Sequence, residues 1–403
     1  MKKRRAARGR FPLMALAGLS LLVALWAGLV RLGWQWPGSG LLPAGQHGAF
    51  MVSGFLGTLI SLERAVALRQ NRQNSGRGAA QPDYDTRLYY LAPAVSGLGA
   101  FALLIGLPPL VGRGAITLGA LGLTLLFVVI YRLQPNRANA TMAAGAGAWL
   151  VGDLLWLAGA PVSRAVPWWA GFLVLTIVGE RLELARVLFW GQGARRLYLL
   201  AIATFVAGLL LSLVPAGLPF AAGGSGFSPG VRLSGAGLLL LAAWLWRHDI
   251  ARRTVRREGL TRFIAACLLP GYLWLGIGGL LWLAFGGSYV AGPIYDALLH
   301  TIFLGFTFSM IFGHAPVIIP AVLHVAVPYR RFYYLHLALL HLSLAARVAG
   351  DLGLGPAVRR WGGLFNVVAV LLFLVTTLFP WARLSNLVSR RPAATQERRR
   401  ALS

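Results

Sequence analysis

Two histidines carry the strongest chemical signal in the chain. His47 and His300 each stand near the start of a long apolar run. A neutral imidazole is a strong axial ligand for haem iron, and two of them on facing helices make a six-coordinate, low-spin centre suited to electron transfer. Such residues are costly at membrane depth unless paired, which makes them functional candidates by default. His248 falls in a basic loop and reads as solvated.

The elements that must position them follow from composition. The chain has 403 residues, 57% of them apolar and 12% charged, which is too apolar for a soluble domain and typical of a polytopic membrane protein. The net charge of +27 comes from arginines at the ends of apolar runs, where they mark topology and meet anionic lipid. This argues against nucleic acid as a partner. The lone cysteine, Cys267, excludes a disulfide or a thiolate cluster within one chain.

Runs of the length needed to cross a bilayer occur at about 11–33, 44–68, 88–107, 112–132, 140–160, 166–190, 196–214, 231–247, 262–285, 293–325, 331–349 and 361–381. The expected fold is therefore an all-α, polytopic membrane helix bundle of about twelve spans, forming one domain over residues 1–403. Pro316 and Pro320 could divide the tenth run. With a cytoplasmic N-terminus, the inward connections gather most of the arginines, among them Arg69, Arg132, Arg195, Arg252 and Arg330. The positive-inside rule is then met at each of them. The basic segments 1–10 and 383–403 both become cytoplasmic, as in a multi-pass protein of the bacterial inner membrane. Trp34, Trp36, Trp168, Trp169 and Trp381 fall where an interfacial aromatic belt is expected.

On this topology His47 and His300 sit at the same outer face, within about one helical turn of 5.4 Å in depth. A porphyrin needs a flat slot, which Gly48, Gly54 and Gly57 on one helix and Gly305 and Gly313 on the other would supply. Its propionates need cations, and Arg31 and Arg347 are placed at the outer surface to serve. Asp296, four residues before His300, would accept a hydrogen bond from the imidazole and fix its tautomer. His314 lies 14 residues beyond His300, roughly 21 Å along the axis at 1.5 Å per residue. With His336 and His341 it leaves open a second site, either a second haem or copper. Asp153 and the cluster Glu180, Arg181, Glu183 and Arg186 are further intramembrane polar groups, serving either as proton relay or as ion-paired helix ends.

The segment from His300 through Gly305 and Gly313 to Pro320 resembles the tenth helix of the haem-copper oxidase catalytic subunit, with the cbb3-type and nitric oxide reductase branches nearest. His47-Gly48-Ala49-Phe50, with Gly54 beyond, is similar to the second-helix motif of nitric oxide reductases. The resemblance implies a subunit I-like bundle with His47 and His300 as ligands of a low-spin haem b. It also implies limits. The position two before His300, where that superfamily holds its high-spin haem, is Leu298, and the sixth and seventh runs carry no histidine for copper. What remains looks like the NnrS family, haem proteins of twelve helices linked to nitric oxide response, whose late Gly-His pair Gly313-His314 echoes. The implied function is haem-based electron transfer or nitric oxide response, with a redox partner or nitric oxide itself as partner and no complete oxygen-reducing site. A haem-free transporter is the alternative, since a twelve-helix bundle with internal glycines also suits a carrier. Whether the chain is an enzyme stays open at this point.

Overall fold

The computed structural model describes residues 10–35, 44–74, 88–185, 191–214, 227–323 and 327–389. Among them eleven helices are long and apolar enough to cross a membrane: α1 (Phe11–Arg31), α2 (Ala44–Gln70), α4 (Pro109–Leu133), α5 (Arg137–Leu157), α6 (Val162–Leu184), α7 (Gln192–Leu211), α8 (Phe227–His248), α9 (Gly259–Ser288), α10 (Gly292–Leu323), α11 (Tyr333–Leu354) and α12 (Pro356–Thr377). A shorter apolar helix, α3 (Leu88–Leu104), occupies the third expected run. The protein is a multi-pass, all-helical membrane bundle. Pro316 and Pro320 lie inside α10 without dividing it.

Small residues let sequential helices pack closely. A Cβ on Gly99 of α3 would stand 2.8 Å from the Gly112 carbonyl of α4, and one on Gly235 of α8 would stand 2.6 Å from the Leu283 amide of α9. Neither distance admits a side chain. In lipid, where apolar burial drives no association between helices, such close backbone approach is what holds a bundle together. Leucines such as Leu110, Leu118 and Leu342 face outward.

The interior belongs to three helices. Within the most apolar stretch of each span, 83% of residues are buried in α6, 72% in α2 and 67% in α10, against 28% in α7. α2 and α10 run parallel, because His47 meets His300 near their starts and Phe55 meets Phe308 two turns further along. α6 runs with them: its Trp169 lies 3.6 Å from the place of a Gly48 Cβ, and its Glu180 pairs with Arg64 at the other end of α2.

Of the expected aromatic belt, Trp34 holds its place at a helix end, stacked edge-on to Trp361 and under Arg360. Trp168 and Trp169 do not, being 5% and 0% exposed. Trp36 and the side chain of Trp381 lie outside the described residues.

Candidate functional site

His47 and His300 come together. Their ring centres are 6.3 Å apart and their planes 28° apart. The His47 Nδ1 donates to the Ala24 carbonyl of α1 at 2.6 Å, and the His300 Nδ1 donates to the Asp296 carbonyl at 2.8 Å. Each Nδ1 is thereby protonated, so each Nε2 keeps a free lone pair, and neither Nε2 hydrogen-bonds to a described residue. Both rings line one cavity of about 80 Å³, whose walls are otherwise largely apolar.

The helices depart from α-helical geometry beside the site. Three residues after His47 and directly after His300 the backbone leaves the α-helical pattern for π-helical turns, over Phe50–Gly57 in α2 and Thr301–Phe308 in α10. Such turns are rare and concentrate at functional sites. The two segments share a spacing that the sequence reading missed: His47, Phe50 and Phe55 correspond to His300, Phe303 and Phe308 at identical intervals.

The charged groups form a relay behind His300. The Asp296 carboxylate stands 3.2 Å from His300 Nδ1 and takes a bidentate pair from Arg347, at 2.7 Å from Nε and 2.8 Å from Nη2. Arg359 adds a weaker contact at 3.9 Å and holds Asp351 at 3.0 Å. Of the two Asp296 acceptors beside His300 Nδ1, the backbone carbonyl is the nearer. Arg347 spends two of its three nitrogens there; Nη1 makes no hydrogen bond among the described residues, and the side chain lines the cavity beside Gly363. Arg31 ends α1 one turn beyond Gly28, exposed and within electrostatic reach of His47.

Four of the five expected slot glycines are elsewhere, Gly57 against Trp149 and Gly313 against Cys267 among them. A Cβ on Gly54 would stand 2.8 Å from Ser20 Oγ and 2.9 Å from Ala100, and one on Gly305 would stand 2.5 Å from Trp274. Both glycines seat neighbouring helices and leave the cavity to others. In a regular α-helix, seven residues return nearly to the same face. The π turns upset that register for Gly54. Gly305, five residues after His300, would lie about 140° round even in a regular helix. The glycines that do line the cavity are Gly28, Gly48 and Gly363. A Cβ on Gly28 would press on the His47 ring at 3.0 Å.

Trp169 forms part of the cavity wall and is fixed from behind by Asp153, whose Oδ1 accepts from Trp169 Nε1 at 2.9 Å and from Ser53 Oγ at 3.3 Å. Trp149 in turn donates to Ser53 Oγ at 3.0 Å. Asp153, an acid with no obvious partner in the sequence, is therefore a brace for the cavity wall.

His314, His336 and His341 do not converge, and no cluster of three or more metal-binding side chains occurs among the described residues. His314 donates from Nδ1 to the Met310 carbonyl at 2.8 Å, and its Nε2 lies 3.2 Å from Arg181 Nη1. His341 Nδ1 accepts from Trp274 at 3.1 Å. His336 is caged by Phe312, Tyr333 and Phe373. The expected pairing of Glu183 with Arg186 falls partly outside the described residues. Glu180 pairs with Arg64, and Arg181 forms a buried bidentate pair with Asp249 at 2.8 and 2.9 Å.

The family model for a domain of unknown function, DUF8744, matches residues 10–382. The chain belongs to the DUF8744 family. The match takes in α1 through α12 and every residue of the histidine cavity, so the site lies wholly within the family domain. No curated protein matches this DUF8744 chain.

Proposed function

We propose that this DUF8744 protein binds one haem b between His47 and His300 and acts in electron transfer or nitric oxide response. The observation that carries the reading is the ring separation. A metal–imidazole bond is about 2.0–2.1 Å, and roughly 1.1 Å separates ring centre from nitrogen for ring bonds near 1.33 Å. Two ligands on opposite sides of one metal then have centres about 6 Å apart, against the 6.3 Å found.

The surroundings fit the group as well. Both free lone pairs belong to rings that line one cavity, and Gly28, Gly48 and Gly363 keep its walls thin. Arg347 Nη1 and Arg31 offer cations for propionates. Bound there, the haem would supply a one-electron redox centre.

The chain's own groups do the rest. Ala24 and the Asp296 backbone carbonyl orient the two imidazoles, and the Asp296 carboxylate places a negative charge behind His300. Arg347 holds that carboxylate in place. Phe303, Phe308 and Trp169 exclude water from the cavity. If His47 and His300 together held the haem, the group would supply one-electron transfer, the use this site favours. The pairing on parallel second and tenth helices supports a subunit I-like arrangement. The clustering of arginines supports cytoplasmic termini in a bacterial inner membrane.

The test is haem extraction from the purified protein together with low-temperature electron paramagnetic resonance. One haem b per chain with a low-spin ferric signal is expected. A correctly folded, haem-free protein would overturn the reading and favour the transporter.

A further inference from the structure

A second cavity, of about 210 Å³, lies beyond the histidine site. Phe308 lines the first cavity and Phe55 the second, and their rings, 6.3 Å apart, form the partition. Most of its wall is aliphatic, but five polar side chains interrupt it: Thr176, Thr307, His314, Glu63 and Glu180. Thr307 is 2% exposed and its Oγ1 has no hydrogen-bond partner among the described residues, an unfavourable condition for a buried hydroxyl if nothing answers it. The Glu63 carboxylate accepts no hydrogen bond from a described residue, and its nearest cation, Arg64 Nη2, is 3.9 Å away.

We propose that this cavity binds a prenylated quinol. An acyl chain alone would leave the Thr307 hydroxyl and the Glu63 carboxylate unanswered. A second haem is disfavoured because His314 Nε2 is already engaged by Arg181, and because Glu63 and Glu180 would repel propionates. The polar groups form two tiers. Thr307 stands seven residues, about 10 Å at 1.5 Å per residue, before His314 on α10. His314 shares its level with Glu180, since Arg181, the neighbour of Glu180, touches it. A ring with oxygens at para positions, hydrogen-bonded at each end by contacts of about 2.8 Å, covers a span of that order. One oxygen meets the Thr307 hydroxyl. The other meets the Glu63 carboxylate, the acceptor of that tier not already taken by an arginine, which favours an O–H donor and hence the reduced form. Half-buried Met14, Gly18, Ile318, Ile319 and Leu374, from α1, α10 and α12, line the same cavity and provide an apolar route for the tail.

The experiment is equilibrium binding of a radiolabelled decyl-benzoquinol to the full chain in nanodiscs. Saturable binding is expected, weakened about tenfold by Thr307→Val and by Glu63→Leu, the loss of one hydrogen bond each. A Cβ on Gly18 meets nothing within 4 Å, so Gly18→Leu is expected to fold normally and block the cavity. The His47→Ala variant is expected to bind the probe like the wild type, which separates this proposal from the haem reading. Absence of saturable binding, binding indifferent to all three substitutions, or phospholipid that the probe cannot displace would each overturn it.

Discussion

Gly28 and His47 are in van der Waals contact across α1 and α2, so tightly that a single methyl group on Gly28 would stand 3.0 Å from His47 Cε1. Together with the 2.6 Å hydrogen bond from His47 Nδ1 to Ala24, this makes α1 the mould in which the imidazole is set. The helix therefore governs the ligand geometry without providing a ligand.

Gly28→Leu is expected to push the His47 ring from its place while sparing the bundle. Under the haem reading the variant loses at least half of its low-spin signal at unchanged thermal stability. Optical spectroscopy beside a melting curve checks both.

Asp296→Asn removes the negative charge behind His300 but retains its backbone carbonyl. The oxidised haem loses a nearby negative charge, and the midpoint potential is expected to rise by on the order of 60 mV, equivalent to a tenfold change for one electron. Redox titration decides it. An unchanged or lowered potential would show that the carboxylate does not act through the imidazole.

Arg181→Ala leaves Asp249 as a buried, unpaired carboxylate. Breaking such a pair from one side costs about 3–5 kcal/mol. A marked fall in thermal midpoint is expected, whereas the exposed Arg252 replaced by Ala should leave it unchanged.

Asp153→Leu strands the indole N–H of Trp169 and the hydroxyl of Ser53. A loss of about 1–3 kcal/mol is expected, with a smaller loss for Asp153→Asn, which keeps an acceptor oxygen. Chemical denaturation in a mild detergent compares the two.

His336→Ala and His341→Ala are expected to leave bound iron and copper unchanged, because those rings face an aromatic cage and Trp274. Metal analysis of the purified variants tests this.

The positions of the helices were legible in the sequence because apolar run length is set by the bilayer and needs no tertiary information. The meeting of His47 with His300 was legible for the same reason: arginine placement set the direction of each span, and direction set depth. What stayed hidden depends on the faces that the helices turn to one another. Gly28 and Gly363 come from helices without a histidine, so nothing local marked them. Gly54 and Gly305 were misplaced because helix register alone could not say which face looks into the cavity, and the π turns after His47 altered it further. Trp169 looked like a belt residue by its place near a helix end. Its role needed Asp153, 16 residues away on another helix.

The central claim is that His47 and His300 clamp one haem, and the most direct measurement is a reduced-minus-oxidised optical spectrum of the purified protein beside His47→Ala and His300→Ala. The account predicts a low-spin b-type spectrum in the wild type that is lost in both variants. The same spectrum surviving in either variant, or absent from a well-folded wild type, would contradict it.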